Sequence, residues 1–179
     1  MVRYAVGLLP DSGLEDMIRR IWRELREAGI SSNLLDDRGR PHLSLAVCSG
    51  LPKDFDEEFA LFARGVRGFG LSLQAAGTFS AESGVVFLAP AVTVELTGLH
   101  ERFFRSFGPR LDGCSDLYRP GRWVPHCTVA MGLKPREICR AIGVCAESGL
   151  PLEGSVARGA LMEFEESSVR SSRSWVLGG

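Results

Sequence analysis

A short pattern that occurs twice constrains this chain more than any other feature. Residues 41–47 read PHLSLAV, and residues 125–131 read PHCTVAM. The sequence contains only three histidines, and two of them occupy the same place in the two copies. Each half of the chain holds one copy, so the repeat predicts one kind of site that is built twice.

Both copies have the alternation expected of a β-strand. Successive side chains of a strand point to opposite faces, so His42 shares a face with Ser44, and His126 shares a face with Thr128. Small alanines follow on these faces, whereas apolar residues occupy the opposite faces. Each strand is therefore predicted to present an imidazole and a hydroxyl on one side and an apolar row to the core.

The segments around the two motifs follow a common order, which indicates an internal duplication. Each half is predicted to run strand, helix, histidine strand, helix, strand. We expect an α+β domain of two similar lobes (residues 1–82 and 83–179), with two antiparallel-rich sheets around a central cleft and helices outside. A pseudo-twofold axis would bring the two polar strand faces together. A last strand at 174–177 would pair as a hairpin with the strand at 152–164. In the first helix, Ser12 and Glu15 have the spacing of a capping box.

Composition limits the partners of the chain. A net charge of -1 and a pI near 6.3 give no global basic field for holding long nucleic acid. The five cysteines are odd in number and contain no C-x-x-C pair, which is typical of reduced thiols in a cytoplasmic protein. The apolar runs are too short for a membrane span, so no membrane association is expected.

Two imidazoles across a cleft suit a reaction that removes one proton and delivers another. The unperturbed pKa of histidine, about 6.5, allows one ring to be neutral while the other is charged near neutral pH. Ser44 and Thr128 would donate hydrogen bonds to an oxyanion, which favours a phosphoryl group as the reacting centre. In-line displacement at phosphorus needs an acid and a base on opposite sides, which two similar halves would supply.

Paired H-x-[ST] motifs in a duplicated chain of this size resemble the 2H phosphoesterase superfamily, which includes 2'-5' RNA ligase-like proteins and cyclic nucleotide phosphodiesterases. The resemblance implies the bilobal fold of that family and metal-independent opening of 2',3'-cyclic phosphates or related cyclic phosphodiesters. It implies that either His42 or His126 activates water or a hydroxyl and the other protonates the leaving oxygen. Ser44 and Thr128 would hold the phosphate, with no metal and no cofactor.

The charge balance makes a nucleotide or short RNA end with a cyclic phosphate the expected substrate, rather than a long RNA, and we expect a monomer. Four residues just before the second motif are further candidates for substrate binding. They could contact phosphate and stack a base: Tyr118, Arg119, Arg122 and Trp123.

Other interpretations of the same residues stay open at this point. His100, which has no partner motif, is predicted to be a solvated surface residue. Cys48 could extend the polar strand face as a nucleophile, although a packing role is favoured. A zinc site would need three protein ligands, and acidic residues do not cluster near either motif. At the level of function, the alternatives to hydrolysis are a nucleotide-binding or RNA-end-binding module without turnover, and 2'-5' RNA ligation.

Overall fold

Strands and helices follow each other in the order that the sequence predicts. The computed structural model describes residues 2–30, 39–165 and 168–178. Both halves run strand, helix, histidine strand, helix, strand, so this prediction is confirmed, and one further strand follows. The elements are β1 (Val2–Pro10), α1 (Ser12–Glu27), β2 (Leu43–Cys48), α2 (Phe55–Arg64), β3 (Phe69–Gly77), β4 (Val86–Pro90), α3 (Val94–Phe107), β5 (Cys127–Ala130), α4 (Pro135–Glu147), β6 (Leu152–Glu165) and β7 (Ser168–Val176).

The described strands form one continuous antiparallel sheet. Their order is β1-β2-β5-β4-β3-β6-β7, and β1 also pairs with β6, so six strands close into a barrel and β7 lies outside the ring. The α+β class is confirmed, but the expectation of two separate sheets is wrong. The long strand β6 closes the ring, because one of its edges pairs with β1 over residues 156–165. Its other edge is divided between β3 at 152–156 and β7 at 158–165.

The internal duplication stays a prediction, and the strand order is compatible with it. Exchanging β1, β2 and β3 for β4, β5 and β6 leaves every pairing in the closed ring unchanged. The proposed joint of the two lobes falls in the turn between β3 and β4. The two histidine strands, β2 and β5, correspond to each other in this exchange and are neighbours in the ring.

Helix α1 covers the barrel with the apolar stripe that the sequence predicts. Its buried side chains recur at helical spacing and are Leu14, Ile18, Ile21, Trp22 and Leu25. The predicted capping box is wrong: Asp11 is the N-cap and accepts a hydrogen bond from the backbone N–H of Leu14 at 2.9 Å. Glu15 is therefore available for other contacts.

Helices α2 and α3 pack through aromatic side chains. Phe59 of α2 lies at the centre, with its ring 5.3 Å from Phe55, 6.2 Å from Phe103 and 5.9 Å from Phe107. The apolar stripes that the sequence predicts for these two helices thus meet in the core. In the described part of the chain, no helix is both long enough and apolar enough to cross a membrane.

The two histidine strands are joined at one point. Between β2 and β5 the antiparallel register contains a single residue pair, Leu43 with Cys127. Both of these side chains are buried and belong to the apolar row that the alternation predicts. Each histidine immediately precedes its strand, so both lie at this junction.

Candidate active site

The register of β2 and β5 brings the two motifs together. Counting outward from their single pair in antiparallel order, His42 lies opposite Thr128, and Ser44 lies opposite His126. The two histidines are diagonal neighbours, a relation that places Cβ atoms roughly 7 Å apart. Each imidazole is therefore expected to lie beside the hydroxyl of the other motif.

Both imidazoles are held by the same backbone contact. The Nδ1 atom of His42 is 2.7 Å from the carbonyl oxygen of Arg40, and Nδ1 of His126 is 2.7 Å from that of Val124. A carbonyl oxygen can only accept, so Nδ1 carries the proton and donates it in both rings. In the neutral form, Nε2 of each ring is consequently a free base, and in the charged form it is an acid.

Burial changes the proton affinity of both rings. It lowers the pKa of His42 and that of His126, because a partly dry environment disfavours the imidazolium ion. The hydrogen bonds to the carbonyl oxygens of Arg40 and Val124 raise the two pKa values and so offset part of this lowering. The charge of His126 lowers the pKa of His42 further, which shows that the two rings lie within electrostatic range of each other.

An aromatic wall stands beside His126. The ring centroid of Phe79 lies 4.8 Å from that of His126, nearly perpendicular to it, and the Phe87 centroid lies at 5.4 Å. Phe87 is buried and pairs with Thr128 across β4 and β5, whereas Phe79 is 49% exposed. Sequence reasoning missed both residues, because only the pairing of β4 with β5 places Phe87 at the site. Phe79 follows β3 and reaches the site beside the Phe87 ring, with 4.6 Å between the two centroids.

Two of the four additional candidates contact the first motif. The indole N–H of Trp123 donates to the carbonyl oxygen of Ser44 at 3.0 Å. The Tyr118 side chain is hydrogen bonded to the Ser44 side chain, while burial raises the pKa of Tyr118. Tyr118 thus stays a neutral phenol, and either hydroxyl of this pair can donate to the other. The segment that precedes the second motif therefore contacts Ser44 of the first motif.

The prediction for His100 is wrong. This side chain is 2% exposed, and its ring is stacked on Trp123 with 3.9 Å between centroids. Its Nε2 lies 2.9 Å from the carbonyl oxygen of Tyr118. The residue occupies the buried face of α3, a position that a motif search could not separate from a solvated one. His100 therefore positions Tyr118 and Trp123, the two residues that contact Ser44. It also covers one face of the Trp123 ring.

The arginine candidates lie at the surface near this segment. Arg119 is exposed and forms an ion pair with Asp116, with 2.6 Å between Nε and Oδ1. Arg122 is also exposed, and its guanidinium has no ion-pair partner among the described residues. Arg3 of β1, which sequence reasoning missed, has an electrostatic influence on Tyr118. Neither Arg122 nor Arg3 forms an ion pair with another described residue, so both are available to an anionic ligand.

The competing interpretations receive less support. Cys48 is 2% exposed, and burial raises its pKa to about 11, so the thiolate that a nucleophile requires is disfavoured. The packing role that the sequence favours for Cys48 is consistent with this burial. Within residues 2–30, 39–165 and 168–178, no three His, Cys, Asp or Glu side chains are grouped as metal ligands.

Comparison with known proteins gives one family match. The sequence profile described as the 2'-5' RNA ligase superfamily matches residues 11–167. A comparison with curated protein sequences gives no match.

Several solved structures have the same fold. E. coli LigT complexed with 3'-AMP has a TM-score of 0.65 and 20% identity, covering 99% of this chain and 98% of that chain. TT0787 of Thermus thermophilus has a TM-score of 0.52 and 16% identity, with 96% and 97% covered. Usb1 of Kluyveromyces marxianus has a TM-score of 0.51 and 10% identity, with 98% of both chains covered. At these identities the likeness establishes the fold alone.

Proposed function

The chain belongs to the 2'-5' RNA ligase superfamily, and from this premise we propose that it opens the 2',3'-cyclic phosphate of a nucleotide or short RNA end. The reaction would be a metal-independent hydrolysis that uses His42 and His126 as its acid–base pair. Ser44 and Thr128 would hold the phosphate. The family contains phosphoesterases and ligases, so an enzyme is favoured over a binding module without turnover.

One observation supports this proposal more than any other. Two imidazoles at the junction of β2 and β5 donate from Nδ1 to a backbone carbonyl, so both Nε2 atoms are free for proton transfer. A single buried histidine would supply a base or an acid, but not both at once. Cleavage of a phosphodiester needs both, because one oxygen loses a proton while another gains one.

In the proposed step, Nε2 of one histidine removes a proton from water while the water oxygen forms a bond to phosphorus. The bond from phosphorus to one ribose oxygen breaks on the opposite side, and Nε2–H of the other histidine protonates that oxygen. The products are a phosphate monoester and a free ribose hydroxyl. The neighbouring hydroxyls would donate to the phosphoryl oxygens, where negative charge accumulates. Either histidine can take either role.

The test of this function is hydrolysis of the four 2',3'-cyclic nucleotides in the presence of EDTA. We expect turnover that chelation does not change, and a phosphate monoester as the product, which phosphorus NMR would identify. Loss of turnover on chelation would contradict the metal-independent mechanism. If the folded protein hydrolyses none of the four, a short RNA with a cyclic phosphate end is the next substrate, and binding without turnover of that RNA would establish the binding module.

The family also favours ligation as a second candidate function. In that reaction the 5'-hydroxyl of one RNA would replace water as the nucleophile, so the same two histidines could serve. Incubating an RNA that ends in a 2',3'-cyclic phosphate with an RNA that begins with a 5'-hydroxyl separates the two activities. A 2'-5' junction in the product identifies ligation, and a terminal monophosphate identifies hydrolysis.

We expect the exposed ring of Phe79 to act as a platform for the base of the nucleotide. The crystal structures of LigT with 3'-AMP and with ATP show that a protein of this fold binds adenine nucleotides. A base stacked on an aromatic ring is stabilised by about 1–3 kcal/mol. Phe79→Ala should therefore raise KM for cyclic nucleotides by about tenfold while kcat changes little.

Two controls define that experiment. Leu61 of α2 is similarly exposed, at 66%, and Leu61→Ala should leave KM unchanged. Ribose 2',3'-cyclic phosphate, which has no base, should have the same KM with the wild type and with Phe79→Ala. An equal loss on both substrates would show that Phe79 acts through His126, and the role as a base platform would then be wrong.

A further inference from the structure

We propose that Glu15 of helix α1 is a positioning residue that holds the ring of His42 in its productive tautomer. This role rests on the proposed function, in which Nε2 of His42 must be free to transfer a proton. Glu15 is the fourth residue of α1, and the sequence pattern indicates for it only a role in a capping box, which α1 does not have. Its contacts, however, lead directly to the segment before His42.

The Glu15 carboxylate is shared by two arginines. Its Oε1 accepts from Arg19, at 3.0 Å from Nε and 2.8 Å from Nη2, and its Oε2 accepts from Arg40 Nη2 at 2.8 Å. The Glu15 side chain is only 14% exposed, so these bonds are shielded from water and stronger than surface ion pairs. Both arginines lower the pKa of Glu15 against the effect of burial, so the carboxylate is ionised near neutral pH.

The same cluster anchors the backbone that orients the imidazole. Arg19 Nη2 also donates to the carbonyl oxygen of Gly39 at 3.1 Å, so two consecutive residues, Gly39 and Arg40, are bound to α1. The carbonyl of Arg40 is the acceptor for His42 Nδ1. Glu15 therefore fixes, through Arg40, the group that decides which ring nitrogen carries the proton.

The second motif lacks such an arrangement. The acceptor for His126 is the carbonyl of Val124, an exposed residue that follows Trp123. That segment is held by the stacking of Trp123 on His100 and by its bond to Ser44, and no ion pair with another described residue holds Trp123 or Val124. A change at Glu15 should thus affect His42 and spare His126, which serves as an internal control in the same molecule.

The variant Glu15→Gln keeps the shape of the side chain and removes its charge. The amide keeps one acceptor oxygen and presents an NH2 donor in place of the other, so the two guanidinium groups lose the shared carboxylate, the hold on Arg40 is weakened, and its carbonyl can move away from Nδ1. We expect the neutral His42 ring to populate the Nε2–H tautomer, in which it cannot accept a proton at Nε2. Loss of a partner that orients a histidine typically costs about tenfold to a hundredfold, and kcat should fall within that range while KM changes little.

The decisive measurement is a long-range proton–nitrogen NMR correlation on the full chain, at a pH at which the histidines are neutral. It reports the tautomer of each ring without substrate, and histidine variants assign the three signals. The expected result is an Nδ1–H pattern for His42 in the wild type that becomes mixed in Glu15→Gln, while His126 is unchanged. Glu58→Gln, which removes an exposed ion pair with Arg110, should leave both patterns as they are.

A second variant keeps the proposal testable if Glu15→Gln does not fold. Arg40→Met leaves the Glu15–Arg19 pair and the bond from Arg19 to the Gly39 carbonyl in place, and it removes the bond that holds the Arg40 side chain, so it should change the His42 tautomer in the same way. An unaltered Nδ1–H pattern for His42 in either folded variant would overturn the proposal. Absence of cyclic nucleotide hydrolysis by the wild type would contradict the proposed function instead, because the tautomer pattern is read without turnover.

Discussion

Replacing His42 or His126 with alanine should lower kcat for 2',3'-cyclic nucleotides by about a hundredfold to ten-thousandfold. This is the usual contribution of one general acid or base, and each Nε2 is the free atom of a ring that its Nδ1 bond orients. KM should change far less, because in the proposed mechanism Ser44 and Thr128 would still bind the phosphate. Steady-state kinetics at saturating substrate would measure both quantities.

The double variant separates a catalytic pair from two independent contributions. If both histidines act in one step, removing the second histidine from a variant that already lacks the first should lower kcat only a little further. The effects of residues that act as a unit do not add. Binding of a nucleoside monophosphate, measured by calorimetry, checks that each variant keeps its site. A variant that folds, binds and retains more than about a tenth of wild-type kcat would show that its histidine is not the acid or base.

The register of the two strands offers a reason for the spacing of the motif. Because the register pairs Leu43 with Cys127, a hydroxyl two residues after each histidine lies opposite the other histidine. The serine and threonine are therefore in place to serve the ring of the partner strand, and a shift of one residue in either motif would turn them to the other face. The H-x-[ST] pattern is thus a property of the pair of strands.

The local parts of this structure could be predicted from sequence, since they depend on nearby residues. The stripe of α1 and the apolar faces of the histidine strands follow from periodicity within ten to twenty residues. The closed ring could not be predicted, because it depends on β6 pairing with β1 from the other end of the chain. Long-range pairing leaves no local signal, so the sequence predicts two sheets where the structure has one.

The same limit explains the residues that sequence reasoning missed at the site. Phe87 resembles an ordinary core residue until β4 is placed beside β5, and Phe79, which follows β3, comes to the site through its contact with Phe87. His100 lies on a helix face like many solvated histidines, and its contact with Trp123 joins residues far apart in sequence. Glu15 matched the spacing of a capping box, but Asp11 takes that role. Tyr118 and Trp123 were found because they directly precede a motif.

The second large effect is expected in the pH dependence of kcat/KM, which reports the groups of the free enzyme. The pKa of His42 and that of His126 both lie below the usual value of 6.5. The reaction needs one ring neutral and the other protonated, so kcat/KM should follow a bell-shaped curve. At low pH both rings are protonated and the base is missing, whereas at high pH both are neutral and the acid is missing.

The direction in which the pH optimum moves follows from the lowered pKa values of the two rings. Since burial lowers both pKa values, the optimum should lie on the acid side of about 6.5, and kcat/KM should fall about tenfold per pH unit above it. Glu15 and its two arginines, Arg19 and Arg40, form a charged cluster next to the His42 segment. One carboxylate and two guanidinium groups leave this cluster with a net positive charge, which disfavours an imidazolium and so does not reverse the shift. The two apparent pKa values belong to the coupled pair. A curve that stays flat to about pH 9 would mean that no imidazolium acts as the acid, and protonation of the leaving oxygen would then have to come from another group.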